Sequence, residues 1–482
     1  MTTPTDSLDL RDWISRMDEL GELQLVSGAD RDYEIGAITD LNAKRRGKAL
    51  LFDDIPGFEG AGRVVSCTMS RAARLGATLG LDPALSDMEL VKALRGRPAA
   101  WERDAPRFDP VRVSEGAVTE SVRSRGDFDL TKIPAPLWHE GDGGHYIGTG
   151  SLVITKDPDD DVVNVGTYRV MVHDENRLGV FIEPIHGGSI HIRKFHERGE
   201  PAPIVLSFGH HPLVFLGSAM PMPYGLNELN YVGAIRQKPV EVVYGEVTGL
   251  PIPADAEIVA EGWVYPGDVE EEGPFGEFTG YFAGGRRARP VVTVERLYQR
   301  SNPILLGSLP GKPPFDHSYW RSTIESSMLL DRLTAIGLPD IQGVWKHEAG
   351  CAQFFTVVSL KQRYAGHAEQ AGMLAAAASE GASMGRYVVV VDDDIDITNL
   401  EDVIWGMSTR SDPATGITFL NRTPSNPLDP LVDENDAEML TSRAIINACR
   451  PYGRLNDFAK VVQVSDGLAD KVTAKFGGVL GW

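Results

Sequence analysis

The sequence predicts a mixed α/β protein of several domains, with an α/β region at each end and a β-rich region between them. Three observations carry this reading. The chain has 482 residues, 42% of them hydrophobic, which is more than one core can use. Short β-type runs crowd into residues 152–247, joined by turn-forming pieces such as "KDPDDD" and "HDEN". Segments with helical periodicity lie before and after them. The domains are expected at 1–115, 116–312 and 313–482.

In chain order, Leu10, Trp13, Ile14, Met17 and Leu20 recur at helical spacing behind Asp and Ser residues, and Gly21 can end that helix. A first α/β unit follows. "RPAAWERDAPRFDP", residues 97–110, is rich in proline and charge without a clear period and reads as a boundary. The runs "SLVIT", "VVNVGTYRVMV", "GVFIEP", "PIVLSF" and "VEVVYGEV" then read as strands. Their links are too short for parallel crossovers, so antiparallel hairpins and a barrel are expected. Beyond Gly311, "STIESSMLLDRLTAIG" and "LEDVIWGMSTR" read as helices and "RYVVVVDDDIDI" as a buried strand entering an acidic loop. The tail "DKVTAKFGGVLGW" is apolar enough to be expected to dock on something.

Composition excludes some functions. Lys and Arg total 47 against 68 Asp and Glu, a formal charge of -21 that repels nucleic acid and anionic membranes. Three widely spaced cysteines, Cys67, Cys351 and Cys449, form neither a disulfide framework nor a zinc ribbon, which fits a reducing cytoplasm. The first residues lack the pattern of a signal peptide, and no apolar run reaches the ~20 residues of a spanning helix, so a cytoplasmic location is expected.

Four segments carry chemistry-bearing residues. In "NVGTYR", Asn164 and Arg169 fall on opposite faces of a strand unless Gly166 bends it. Arg169 could meet a carboxylate with two parallel hydrogen bonds, or could be a solvated surface residue. In "IEPIHGGSIHIRKFHERGE", His186 precedes Gly187 and Gly188, whose N–H groups could approach a phosphate, while His191 and His196 read as helix-surface residues. In "MPMPYGLNELNYVGAI", Glu228 follows the cap Asn227 at a helix start, where it either complements the dipole or ligates a metal. Asn164, His186 and Glu228 would make a mixed N/O set suited to Mn2+ or Mg2+ against a phosphate, although each also has a structural explanation. In "EEGPFGEFTGY", Glu272 and Glu277 flank a Gly-Pro-Phe-Gly turn that could aim both at one site. An arginine would then hold one ionised, and desolvation would leave the other a general acid; a charged loop is the alternative. The acidic run Asp392 to Asp394 with Asp396 reads as a solvated turn or a capping device.

Together, "NVGTYR", "MPMPYGLNELNYVGAI", "EGPFGEFTGY" and "DDDIDITNLEDVIWGMSTRSDP", in this order, resemble the UbiD family of reversible decarboxylases that use prenylated FMN. The likeness runs from about residue 10 to about residue 430 and implies a split β-barrel for the flavin and a C-terminal oligomerisation domain. It implies a catalytic set of Arg169, Glu272 and Glu277, with Glu277 the proton donor and Glu272 the partner that holds Arg169. It further implies that Asn164, His186 and Glu228 hold Mn2+ against the flavin phosphate, with His191 the fallback for His186, and that K+ sits nearby. Thr167, Tyr168, Arg169, His186, Gly187, Ser218, Met220, Pro221 and Glu228 would line the cofactor.

The implied reaction loses CO2 from an sp2 carbon, which needs an electron sink that no side chain supplies. The expected substrate is an aromatic or heteroaromatic acid, either hydroxybenzoate-like or fused-ring such as phenazine-1-carboxylate. "PPFDHSYW" would supply its pocket through Phe315, His317, Tyr319 and Trp320, unless those rings pack an interdomain core. A flavin prenyltransferase would supply the cofactor, and a homodimer or homohexamer is expected. The alternative is a non-catalytic flavin-binding subunit of a larger complex, which would have no need of both glutamates and Arg169.

Overall fold

The computed structural model describes residues 7–283, 285–382, 384–433 and 438–481. The first helix, Leu10–Glu19, is capped by Asp9 and buries Leu10, Trp13, Ile14 and Met17, the stripe the periodicity marks. It leads into a four-stranded sheet of Leu23–Ser27, Ala49–Asp53, Arg63–Ser66 and Ile304–Leu306. The last of these strands comes from the far end of the middle region and lies parallel to Arg63–Ser66. The two regions are thereby stitched together. The segment read as an irregular boundary is instead partly helical, Arg97–Asp104, with Pro98 in its first turn, where its missing N–H is harmless. Trp101 on that helix packs edge-on against Tyr231.

The middle region is a nine-stranded sheet. Along its path the strands run Tyr146–Gly148, Val170–Val172, Arg177–Val180, Arg287–Gln299, Ile258–Glu272, Ala202–Ser207, Leu152–Lys156 and Val163–Gly166, and neighbours are antiparallel. Thr167 to Arg169 alone connect the strand at one end of that path to the strand next to the other end. Three residues reach only ~10 Å, so the sheet has to curl until its edges approach. The run "VEVVYGEV" departs from expectation: Glu241–Tyr244 leaves this sheet and pairs with Val111–Arg112 and Pro251–Pro253 in a small separate one.

The C-terminal region has a five-stranded sheet with the order Ile341–Lys346, Phe355–Leu360, Tyr387–Asp392, Leu440–Ala448, Ile417–Pro424. Its centre is parallel and its margins antiparallel. Val388 to Val391 are buried on both faces, as an all-apolar parallel strand requires. Asp392 is also buried, tied to Arg410 and Arg450, so the start of the acidic run is an ion-pair node and not a solvated turn. Asp396 accepts from the N–H of Thr398 in a local turn, and the helix that follows, Leu400–Arg410, is capped by Asn399. The helix Asp466–Leu480 leaves Leu468, Phe476, Val479 and Leu480 exposed among the described residues. Among the described residues no helix is long and apolar enough to cross a membrane.

Candidate active site

The curled sheet opens onto a cavity of about 720 Å³. Thr167, Tyr168 and Arg169 line it because the chain crosses there between two strands. The strand Val163–Gly166 ends before Arg169, so the alternation that would separate Asn164 from Arg169 does not extend to it, and both face the cavity.

Glu272 is the last residue of the strand Ile258–Glu272, with its side chain 1% exposed. Gly273 follows with φ +89°, a conformation that favours glycine and lets the chain turn at once. Phe275–Gly276 then pairs antiparallel with Phe282–Ala283, and this tight reversal carries Glu277 back over the same site. Arg169 joins the two carboxyls. Its Nε and Nη2 donate to Glu272 at 2.8 Å each, and its Nη1 donates to Glu277 at 2.7 Å. The guanidinium also lies over the rings of Phe181, at 4.6 Å, and Phe275, at 5.5 Å.

These carboxyls share chemistry but not environment. Burial pushes the Glu277 carboxyl up to about 7, Arg169 opposes the shift, and Glu183 and Glu272 add to it. Its side chain is 15% exposed, on the cavity wall. Glu272 accepts a further bond from the Tyr146 hydroxyl at 2.7 Å. One carboxyl of the pair is thus surrounded by donors, and the other is poised to hold a proton.

The far end of the cavity gathers polar residues. Asn227 caps the helix Glu228–Arg236 by accepting from the N–H of Leu229, and Glu228 accepts from the N–H of Val165 at 2.7 Å. Burial raises the Glu228 carboxyl to about 7. An anion there gains from any cation. His186 caps the helix Gly187–Glu197 and stands 5.6 Å, ring to ring, from Tyr168. A Cβ on Gly187 would come within 2.4 Å of Asn164 Oδ1, so glycine lets that side chain sit against the helix N-terminus. Asn164, His186, Gly187 and Glu228 all line the cavity, as do Ser218, Met220 and Pro221. Thr167 Oγ1 and Ser218 Oγ are 2.7 Å apart.

His191 is not a helix-surface residue, and His196 is half-buried. His191 is 1% exposed, hydrogen-bonds Thr155 through Nδ1, and leaves Nε2 without a hydrogen bond, 3.7 Å from Asp157. His196 bonds the carbonyl of Val264. Both point inward because their helix lies against the sheet. Among the described residues no three His, Cys, Asp and Glu side chains gather as a metal site.

Of the four aromatic residues expected in a substrate pocket, His317 lines the cavity. Phe315, just before the helix Asp316–Ala335, and Tyr319 and Trp320 on it are buried, Trp320 edge-on against Phe215 of the cavity wall. Tyr319 donates to Asp87, and Trp320 stacks behind His317 at 4.5 Å. Burial lowers the His317 imidazole to about 3, so it is neutral. The aromatic wall comes from elsewhere: Phe181, Phe275 and Phe278 line the cavity, as does Arg321.

Sequence reasoning also missed the segment 138–146, "WHEGDGGHY". Asp142 accepts from the N–H of Gly276 at 3.2 Å, and the N–H of Gly143 donates to Pro274 O at 2.8 Å. Its glycines were the available signal: a Cβ on Gly143 would fall 1.9 Å from Gly273 O.

Family models of 3-octaprenyl-4-hydroxybenzoate carboxy-lyase match in order: its N-terminal domain over residues 14–94, its Rift-related domain over 110–313 and its C-terminal domain over 318–448. A pyrrole-2-carboxylic acid decarboxylase of Pseudomonas aeruginosa is 34% identical over 464 residues, covering 92% of each chain. The UbiD-class enzyme HmfF from Pelotomaculum thermopropionicum in complex with FMN superposes with TM-score 0.84 at 28% identity, over 97% of this chain and 100% of that one. An evolved dimeric form of that enzyme in complex with prFMN gives 0.82 at 28% identity, over 98% and 100%.

Proposed function

The chain belongs to the UbiD family of carboxy-lyases, and from that premise we propose that it is a reversible, non-oxidative decarboxylase that uses prenylated FMN as electron sink. Its substrate is an aromatic or heteroaromatic acid. The observation that carries the reading is the buried Glu272–Arg169–Glu277 array at the wall of a cavity large enough for a flavin beside a flat acid. Relatives of the same architecture are a pyrrole-2-carboxylic acid decarboxylase and an enzyme seen with FMN and prFMN.

The residues present fit the cofactor. Thr167, Tyr168, Ser218, Met220 and Pro221 would flank it. Asn164, His186 and Glu228 would hold Mn2+ against its phosphate with K+ nearby, and Glu228, a buried carboxyl that burial disfavours as an anion, supplies the reason a cation is wanted. The bound group would supply the electrophilic sink for the electrons left when CO2 departs.

This chain's side chains do the rest. Arg169 draws the substrate carboxylate into place, so ordering is met on binding and not at the reaction step. Phe181, Phe275 and Phe278 offer apolar walls to a flat ring and keep water from the reacting carbon. Glu277 Oε delivers the proton to the carbon that lost CO2 and, in the carboxylation direction, takes it back. The acid is proposed to be either hydroxybenzoate-like or fused-ring, such as phenazine-1-carboxylate; the relative acting on a pyrrole acid supports a compact heteroaromatic ring as well. A flavin prenyltransferase is the proposed source of cofactor. Exposed apolar residues of the C-terminal region, Phe419, Leu431 and Val479 among them, support a homodimer or homohexamer built through that region.

The test is co-expression with a flavin prenyltransferase, followed by CO2 release from a panel of monocyclic and fused-ring aryl acids. Turnover of at least one acid, dependent on the prenylated cofactor, is the expected result. Fully loaded protein that releases CO2 from none of them would overturn the reading.

A further inference from the structure

The two glutamates are told apart by their donors. Among the described residues, Glu272 accepts hydrogen bonds from Tyr146 Oη, Arg169 Nε and Arg169 Nη2. Glu277 accepts one from the same guanidinium. A single cation cannot neutralise both carboxyls, so a proton on the pair settles where fewer donors stabilise the anion.

Tyr146 is built as a fixed donor. Its ring lies 4.2 Å from that of Phe275, its N–H donates to Pro136 O, and its carbonyl accepts from Trp138 Nε1 at 3.0 Å. The side chain is fully buried, so the hydroxyl cannot turn to water. Burial, with Glu272 beside it, raises the phenol far above its ordinary range and keeps it protonated at any working pH. Other charged or titratable groups near this cluster include Glu183, Asp142, His173 and Arg289, whose guanidinium lies 4.0 Å from the Phe181 ring that Arg169 also covers. None of them donates to Glu272 in the bonds described above.

We propose that Tyr146 is a positioning residue for the decarboxylation: its hydroxyl, by completing the donor set of Glu272, directs the one proton of the pair onto Glu277. Tyr146 stands behind the cavity wall, outside its lining, and acts through the glutamates. The catalytic consequence rests on the function proposed above; the proton placement does not.

The discriminating variant is Tyr146→Phe, which keeps the ring and its stacking on Phe275 and removes only the oxygen. In protein carrying 13C-carboxyl glutamate, with Glu277→Gln used to assign the signals, the lower carboxyl titration of the pair rises by about one pH unit in Tyr146→Phe, a tenfold gain in proton affinity. In the cofactor-loaded enzyme kcat falls by about tenfold while KM stays within about twofold. A titration identical to the parent's overturns the proposal, because a role in packing alone leaves it unmoved. A shifted titration with unchanged kcat overturns the positioning role. If the parent decarboxylates no acid, the titration still decides where the proton sits, so the two failures are distinguishable.

Discussion

Arg169 gives Glu272 two parallel hydrogen bonds and Glu277 one. Burial, only partly opposed by Arg169, leaves the Glu277 carboxyl at about 7, where a protonated and an ionised form coexist near neutrality. On the proposed function the protonated form is the donor, so its share falls as pH rises through about 7. The limiting rate of CO2 release is therefore predicted to be flat below about pH 6 and to fall towards tenfold per unit above about pH 8. Steady-state kcat across pH checks this; a rate already falling near pH 5 would place the donor at an ordinary carboxyl.

Replacing Arg169 by lysine keeps a charge and loses the fork. Lysine cannot make the two parallel bonds to Glu272 while reaching Glu277. The Arg169→Lys enzyme is predicted to fold, to bind cofactor, and to lose about 10²-fold in kcat/KM, the scale of a misplaced reacting group. Kinetics alongside flavin content separate this from simple loss of cofactor.

The proposed metal site predicts the opposite pH trend. Burial holds Glu228 protonated up to about 7, and a cation has to displace that proton. Mn2+ affinity of the cofactor-free protein should rise by up to about tenfold per pH unit until about 7 and level off above it. Calorimetric titration across that range measures it. Asn164→Ala should lower bound Mn2+ and bound flavin together.

Gly187 supplies a steric test of the same end. A methyl group there would meet Asn164 Oδ1 at 2.4 Å and push that side chain away. Gly187→Ala is predicted to keep the thermal midpoint within a few degrees, a cost of about 1 kcal/mol or less, while metal and flavin content drop in parallel. Metal analysis of purified protein reads this directly.

The residues of the proposed catalytic set were the legible ones. Glu272, Glu277 and Arg169 stand in short motifs whose glycines and prolines announce a constrained backbone, and the structure brings them together. The helix stripe of Leu10, Trp13, Ile14 and Met17 was equally plain, since an amphipathic period is a local property. Tertiary partners were not legible. "VEVVYGEV" has the pattern of a barrel strand, and nothing local says that it pairs with Val111–Arg112 instead. His191 carries no mark of burial, because the sheet that covers it is distant in sequence. Phe315, Tyr319 and Trp320 suit a core as well as a pocket, and helix orientation decided between them. Tyr146 escaped notice for the same reason: its partner lies 126 residues away.

The central claim is that Glu277 is the proton donor of a cofactor-dependent decarboxylation. Its most direct test is the rate of CO2 release by Glu277→Gln protein that carries its full complement of prenylated flavin and metal, on an acid the parent turns over. Glutamine keeps the shape and holds no transferable proton, so the account predicts a loss of at least about 10²-fold at unchanged cofactor content. Release of CO2 as fast as in the parent would contradict it.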